Sequence, residues 1–219
     1  MGFVYLRLYD TIVVNNSRGV SMDNTFLPLL FRMKYIGRWG LMYNTQPEDL
    51  MQHTLECAFV AHYLAMAGNR YCGKDYDAGK LAVYALYHDI PEVLTGDLPT
   101  PVKYYSDDMR SVYRQIERTA AEKLRSHLPE ELRADYAPYL GLGDSQLTAA
   151  EANLLKIADK LCAYIKCVRE LNAGNREFRP AYAAIGQELE GMDCEELRYF
   201  MANCLPAFSL SLDELKGTL

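Results

Sequence analysis

Histidine is scarce in this sequence: the 219 residues hold only four, at positions 53, 62, 88 and 127, so each can be weighed singly. Tryptophan occurs once, as Trp39. No stretch reaches the ~18 consecutive apolar residues that a membrane-spanning helix needs, and none is expected. Basic residues are outnumbered, 23 Lys and Arg against 29 Asp and Glu, for a net charge of −6. That balance argues against binding a nucleic-acid polymer, which takes a basic face. It leaves room for a small anion, since a few local cations can hold one phosphate. Fourteen Gly and nine Pro are too few for a low-complexity chain. The six Cys include no CxxC pair, and a chain of this size buries a core without staples, so reduced thiols in a cytoplasmic protein are expected. The start of the chain makes a poor signal peptide, because Arg7 and Asp10 interrupt its apolar residues.

What is present has helical period. Residues 1–21 differ from the rest, with strand-like YLRLYDTIVV running into NNSRG. They read as an appendage or the product of a start-site choice, and residues 22–219 as a single domain. A first helix is expected near 25–36 and a second from a capping box at Thr45 and Glu48 to about Ala67. Asp77 suits the cap of a third, LAVYALYHDI, which Pro91 interrupts by removing a backbone donor. LTGDLPTP (94–101) fits neither regular helix nor central strand. Ser106 opens a fourth helix ending before Pro129, with Met109, Val112, Ile116, Ala120 and Leu124 as its apolar face. A short helix from Pro129 to about Leu140 follows. A second capping box, Thr148 with Glu151, starts a helix running to Gly174, and two more lie near 180–191 and 194–204. Strands do not alternate with helices, so the expected fold is all-α, a compact bundle of about seven or eight helices.

Two places carry polar groups where apolar ones would be expected. His88-Asp89 closes an apolar helix, and Glu92 follows at a spacing that places all three on one face if the helix survives Pro91. Alone, the trio reads first as a helix C-terminus with a satisfied histidine and solvated acids. Asp159 is flanked at helical spacing by Leu155, Ala158, Cys162 and Ile165, which points its carboxylate into an apolar stripe. Such a carboxylate is costly unless paired or bound to a metal. With His53 on another helix, the set suits a mixed nitrogen and oxygen metal site, open to Zn, Mn, Co, Ni or Fe. His62 and His127 read as structural.

The pattern H…HD…D at these positions resembles the metal signature of HD-domain phosphohydrolases. IGRWGLM (36–42), HTLE (53–56), YHDIPEVLTGDLPTPVKY (87–104), IERTA (116–120), ADKLCAYIKC (158–167) and FSLSLDEL (208–215) resemble, more narrowly, the bacterial HD-domain 5'-deoxynucleotidases. The resemblance implies an all-α HD-domain bundle and a homodimer. The activity implied is hydrolysis of deoxyribonucleoside 5'-monophosphates with one divalent metal ion. It makes His53, His88, Asp89 and Asp159 the metal ligands. Arg38 is implied to orient the phosphate, and Trp39 to contact the sugar. Glu92 is implied as the acidic catalytic residue, and Asp97, Leu98, Pro99 and Thr100 as a substrate loop in which Asp97 is a further catalytic candidate. One departure is Gln52, where the family usually has Glu before the first histidine. Competing readings are an HD phosphohydrolase acting on guanosine polyphosphates or nucleoside triphosphates, and a catalytically silent nucleotide-binding module.

Overall fold

A computed structural model describes residues 24–103 and 105–217; the proposed appendage at 1–21 lies outside the described residues. The described chain is helical throughout, and its only extended pairing is an antiparallel bridge between Gly37 and Asp49. Its α-helices are α1 (Phe26–Leu30), α2 (Leu50–Tyr71), α3 (Ala78–Tyr87), α4 (Glu92–Thr95), α5 (Thr100–Lys103), α6 (Asp107–Ser126), α7 (Arg133–Tyr136), α8 (Ala149–Asn172), α9 (Arg179–Glu190), α10 (Glu195–Asn203) and α11 (Leu212–Lys216). The all-α expectation holds, with several short helices joining the long ones.

Local chemistry sets most of the ends. Asp77 and Ser106 cap α3 and α6 by accepting from the Lys80 and Met109 N–H groups. Thr148 and Glu151 form the expected reciprocal capping box on α8. The other proposed box does not form. Asp49 caps α2 instead, its carboxylate accepting from the Gln52 N–H, and α2 extends to Tyr71 rather than Ala67. The reason is competition: the Thr45 hydroxyl donates to Glu170, and the Glu48 carboxylate accepts from Arg38.

Helices α2, α3 and α8 pack around the main apolar cluster, where Cys57, Ala61, Leu64, Leu81, Ala85, Ile157, Leu161 and Ile165 are buried. A second cluster joins Phe26 of α1, Ile90, and Ala121 and Leu124 of α6. His88 and Asp89 lie between Ala85 of the first cluster and Ile90 of the second, so the polar pair marks the seam between two apolar bodies. Only part of the proposed α6 face is buried: Ala120 and Leu124 are, whereas Met109, Val112 and Ile116 stay exposed.

Candidate active site

Three helices bring the proposed ligands together. His53 is in the first turns of α2, His88 and Asp89 follow α3, and Asp159 is midway along α8. His53 Nε2 lies 3.1 Å from Asp159 Oδ1 and 3.6 Å from Asp89 Oδ2. His88 Nε2 lies 3.1 Å from Asp89 Oδ2 and 3.7 Å from Asp159 Oδ1. Asp159 differs from expectation in one respect: its side chain keeps 46% of its exposure rather than lying in the closed core. The two histidines hold its carboxyl well below the usual range, against the desolvating effect of the protein around it.

The state of one imidazole follows from its partner. His88 Nδ1 lies 2.7 Å from the Ala85 carbonyl, which can only accept, so Nδ1 carries the proton. Nε2 offers its lone pair once a metal displaces the second ring proton, which burial opposes but Asp89 and Asp159 hold in place by raising the pKa of the ring. It is buried and makes no aligned hydrogen bond despite its closeness to Asp89. A lone pair held beside another imidazole and two carboxylates is the donor set a divalent cation of intermediate hardness selects. The residues therefore fit a metal. A sulfur, unforeseen from the sequence, joins them: ligating atoms of His53, Cys57, His88 and Asp159 all lie within 4.8 Å of one another. The clue in the sequence is spacing, since Cys57 is one helical turn beyond His53. Cys162 does not belong to that group of four.

The loop before α2 supplies Arg38 and Trp39. The Arg38 backbone N–H donates to the Glu48 carbonyl, and Leu50 donates to the Ile36 carbonyl, closing the loop at its base. Arg38 Nε donates to Glu48 Oε1 at 2.9 Å, and Nη1 reaches Asp89 Oδ2 at 3.5 Å. Burial works against the guanidinium charge, but Asp89 and then Glu48 outweigh it and hold its pKa above the ordinary value. Trp39 adopts φ +59°, a left-handed conformation rare for a bulky residue. Its ring packs 5.2 Å from that of Phe178, and its buried Nε1 has no partner.

Glu92 opens α4 almost fully buried. Burial, followed by the charge of Asp89, pushes its carboxyl up to about 7 even though Lys103 pulls the other way. Lys103 Nζ donates to Glu92 Oε1 at 2.6 Å and lies 3.9 Å from Asp97 Oδ1, while Glu92 Oε2 is buried and unpartnered. Sequence reasoning passed over Lys103. The available signal was that no other Lys or Arg occurs between Lys80 and Arg110. Gly96, at φ +75°, turns the chain from α4 into the Asp97–Pro99 loop. Leu98 and Pro99 are partly exposed there, and the Pro99 carbonyl accepts from the Val102 and Lys103 N–H groups. The Thr100 side chain lies outside the described residues. Gln52 turns away from the cluster: it is exposed, and its amide donates to Glu56 at 3.2 Å.

Comparison with known proteins narrows the reading. A family model described as YfbR-like 5'-deoxynucleotidase matches residues 25–208. A 5'-deoxynucleotidase of Photorhabdus laumondii is 47% identical over 190 residues, 87% of this chain and 95% of the relative. Among solved structures, an HD-domain phosphohydrolase of Listeria innocua superposes with a TM-score of 0.73 at 23% identity, over 88% of this chain and 92% of that one. An HD phosphohydrolase of cyanophage S-2L, bound to dA and one catalytic Zn2+ ion, superposes at 0.55 with 17% identity, over 81% and 95%. At such identities the two structures establish the shared fold alone.

Proposed function

The chain belongs to the YfbR-like 5'-deoxynucleotidase family, and from that membership we propose how its own residues carry the reaction. It is a phosphoric monoester hydrolase that converts deoxyribonucleoside 5'-monophosphates to deoxyribonucleosides and phosphate. His53, His88, Asp89 and Asp159 hold one divalent ion, from the set Co, Mn, Ni, Zn and Fe. The cyanophage protein of the same fold, bound to dA and one catalytic Zn2+ ion, supports one ion. When bound, such an ion polarises a phosphate oxygen and lowers the pKa of water at neutral pH.

The remaining work falls to the chain. Arg38, fixed by Glu48, presents its planar fork to the 5'-phosphate and balances charge that builds on it. Glu92, steered by Lys103 through Oε1, keeps Oε2 free to take or give a proton at the attacking water or the departing 5'-oxygen. Asp97 shares Lys103 and stands as the second acid. Trp39 closes on the sugar, with Leu98, Pro99 and Thr100 forming the facing loop. The observation that carries this reading is a set of buried polar atoms without partners: Trp39 Nε1, His88 Nε2 and Glu92 Oε2. A folded protein seldom leaves such atoms unsatisfied unless a ligand completes them.

A longer phosphate chain is disfavoured, because the cations brought to this site, Arg38 and Lys103, are both already engaged by carboxylates. A silent module is disfavoured by the complete donor set. Phosphate release from a panel of deoxyribonucleoside 5'-monophosphates, ribonucleotides, 3'-phosphates and triphosphates, each with several divalent ions, tests the assignment. Preferential release from triphosphates would overturn it.

The match over 25–208 supports a single domain spanning 22–219. Among the described residues, no helix is long and apolar enough to cross a membrane, and with six free thiols this supports a cytoplasmic location. The chain pairs as a homodimer through α2, where Leu55, Phe59, Tyr63 and Met66 form an exposed apolar stripe at helical spacing. Sedimentation of Phe59→Asp, expected to be monomeric, checks the contact.

A further inference from the structure

We propose that Glu170, paired with Lys166 in the last turns of α8, is a positioning residue that sets where Arg38 and Trp39 stand in the active site. The proposal rests on the reading of Arg38 and Trp39 as phosphate and sugar contacts. It extends that reading to two buried groups that touch neither substrate nor metal ligands.

Stability alone does not explain these groups. Glu170 is 0% and Lys166 2% exposed, and a buried ion pair is often no better for stability than apolar residues of the same volume. Their partners lie in the loop before α2. The Thr45 and Gln46 N–H groups donate to Glu170 at 3.0 Å each, and the Thr45 hydroxyl donates to it as well. Lys166 donates both to Glu170 and to the Gln46 carbonyl. Asn175 joins the two segments, donating at 2.8 Å to Glu170 and at 2.8 Å to the Tyr43 carbonyl. Burial opposes the charge on this carboxylate, but Lys166, Thr45 and Asn175 outweigh burial and hold it ionised.

The anchored segment reaches Trp39 through short links. Asn44, between Tyr43 and Thr45, donates through Nδ2 to the Trp39 carbonyl at 3.3 Å, and the Met42 N–H donates to the same carbonyl at 2.9 Å. Trp39 stands at φ +59°, a conformation that a bulky residue keeps only where its surroundings impose it. The bridge between Gly37 and Asp49 closes the base of the loop, and Glu170 fixes its far side. The ring is held from the same stretch of chain. Lys166 Nζ lies 5.4 Å from the centre of the Phe178 ring, which packs against Trp39. An amide cannot stand in for the carboxylate. Both Glu170 oxygens accept from backbone N–H groups, Oε1 from Gln46 and Oε2 from Thr45, so the NH2 of a glutamine meets a donor in either orientation.

The test uses the single tryptophan as reporter. The full chain is compared as wild type, Lys166→Met/Glu170→Gln, Thr45→Val and Thr45→Ser. The double variant leaves no unpaired buried charge, and Thr45 is exposed, so its variants alter one hydrogen bond outside the core. Trp39 emission and acrylamide quenching are read without substrate, bound metal is counted by elemental analysis, and kcat/KM is measured for dAMP and AMP. In the double variant, emission should shift to the red and quench more readily while metal content stays as in wild type. Its kcat/KM for dAMP should fall by about 10–100-fold, the effect of misplacing a binding group by about an ångström, and the ratio of dAMP to AMP should narrow. Thr45→Val should move emission and ratio the same way to a smaller extent, and Thr45→Ser should restore both. Wild-type emission and an unchanged ratio in the double variant would overturn the proposal. If that variant melts below the assay temperature, wild-type emission and ratio in Thr45→Val would overturn it. Shifted emission with wild-type kcat/KM for both nucleotides would instead overturn the substrate-contact reading on which the proposal rests.

Discussion

Lys103 donates to Glu92 at 2.6 Å across the short loop that joins their helices, and so fixes which carboxylate oxygen of Glu92 remains free. Removing Glu92 as Glu92→Gln is expected to lower kcat by about 10²–10⁴-fold, the usual range for a general acid or base. Lys103→Met should lower kcat by roughly tenfold, about 1.4 kcal/mol in the barrier, with little change in KM. Lys103→Arg should restore most of the loss. Steady-state kinetics on a deoxyribonucleoside 5'-monophosphate separates these effects, and a change confined to KM would place Lys103 in substrate binding.

Asp159→Asn preserves volume but removes a charge that faces both imidazoles. Metal affinity should fall by about 10–100-fold or more. Chelation should abolish phosphate release in the unmodified protein, and added Mn2+ or Co2+ should restore it. Metal content by elemental analysis, read beside activity, makes the check; full activity in metal-free protein contradicts the assignment.

Sugar selectivity should separate two adjacent residues. Trp39→Ala is expected to lower the rate and narrow the ratio of kcat/KM for dAMP over AMP. Arg38→Ala should lower the rate and leave that ratio intact. An unchanged ratio in Trp39→Ala would assign Trp39 to packing against Phe178 and move selectivity to the Asp97–Thr100 loop.

Gln52→Glu should leave metal affinity unchanged, because the Gln52 side chain faces Glu56 rather than His53. The new charge would lie one turn from Glu56, whose carboxylate is paired with Arg169 at 2.8 Å. A like-charge pair at that spacing costs about 0.2–0.5 kcal/mol. Isothermal titration with metal and a thermal melt read the two effects; tighter metal binding would show that residue 52 acts on the centre.

Acid stability should depend on Glu151. Burial opposes its charge, but donors from Thr148, Lys80 and Asp77 outweigh burial and hold its carboxyl at about 2. Because this lies below the ordinary 4.5, the stabilisation is fully present above pH ~5 and is lost as pH falls through 4.5 towards 2. Glu151→Gln should cost about 1–3 kcal/mol at neutral pH and flatten the acid side of the stability curve. Urea denaturation at several pH values measures both.

The legible parts of the site share a property. His88-Asp89 and Asp159 announced themselves as polar groups inside apolar helical patterns, a contrast visible within one or two turns of chain. The helix starts at Asp77, Ser106 and Thr148 were legible for the same reason, since a cap and its donor are three residues apart. Thr45 was misread because its hydroxyl goes to Glu170, 125 residues away, and no local pattern encodes that competitor. Lys103 and Cys57 lacked contrast: one is an ordinary lysine in a short helix, the other an ordinary small residue in a core. Only folding placed them beside Glu92 and His53.

The loop carrying Arg38 and Trp39 ends on long-range contacts. The Tyr43 carbonyl accepts from Asn175, the Thr45 and Gln46 N–H groups donate to Glu170, and Lys166 donates to the Gln46 carbonyl, across separations of 120 to 132 residues. Contacts so distant along the chain are late to form, since the entropy of closing the intervening segment must be met first. The phosphate arm is therefore held at its base by its own neighbours in sequence and at its far side by the C-terminal end of α8. In rising denaturant this segment is expected to open before α2, α3 and α8 lose their mutual packing. Catalysis should therefore disappear at lower urea than helical circular dichroism, with amide exchange at Thr45 and Gln46 accelerating in step with the loss of activity.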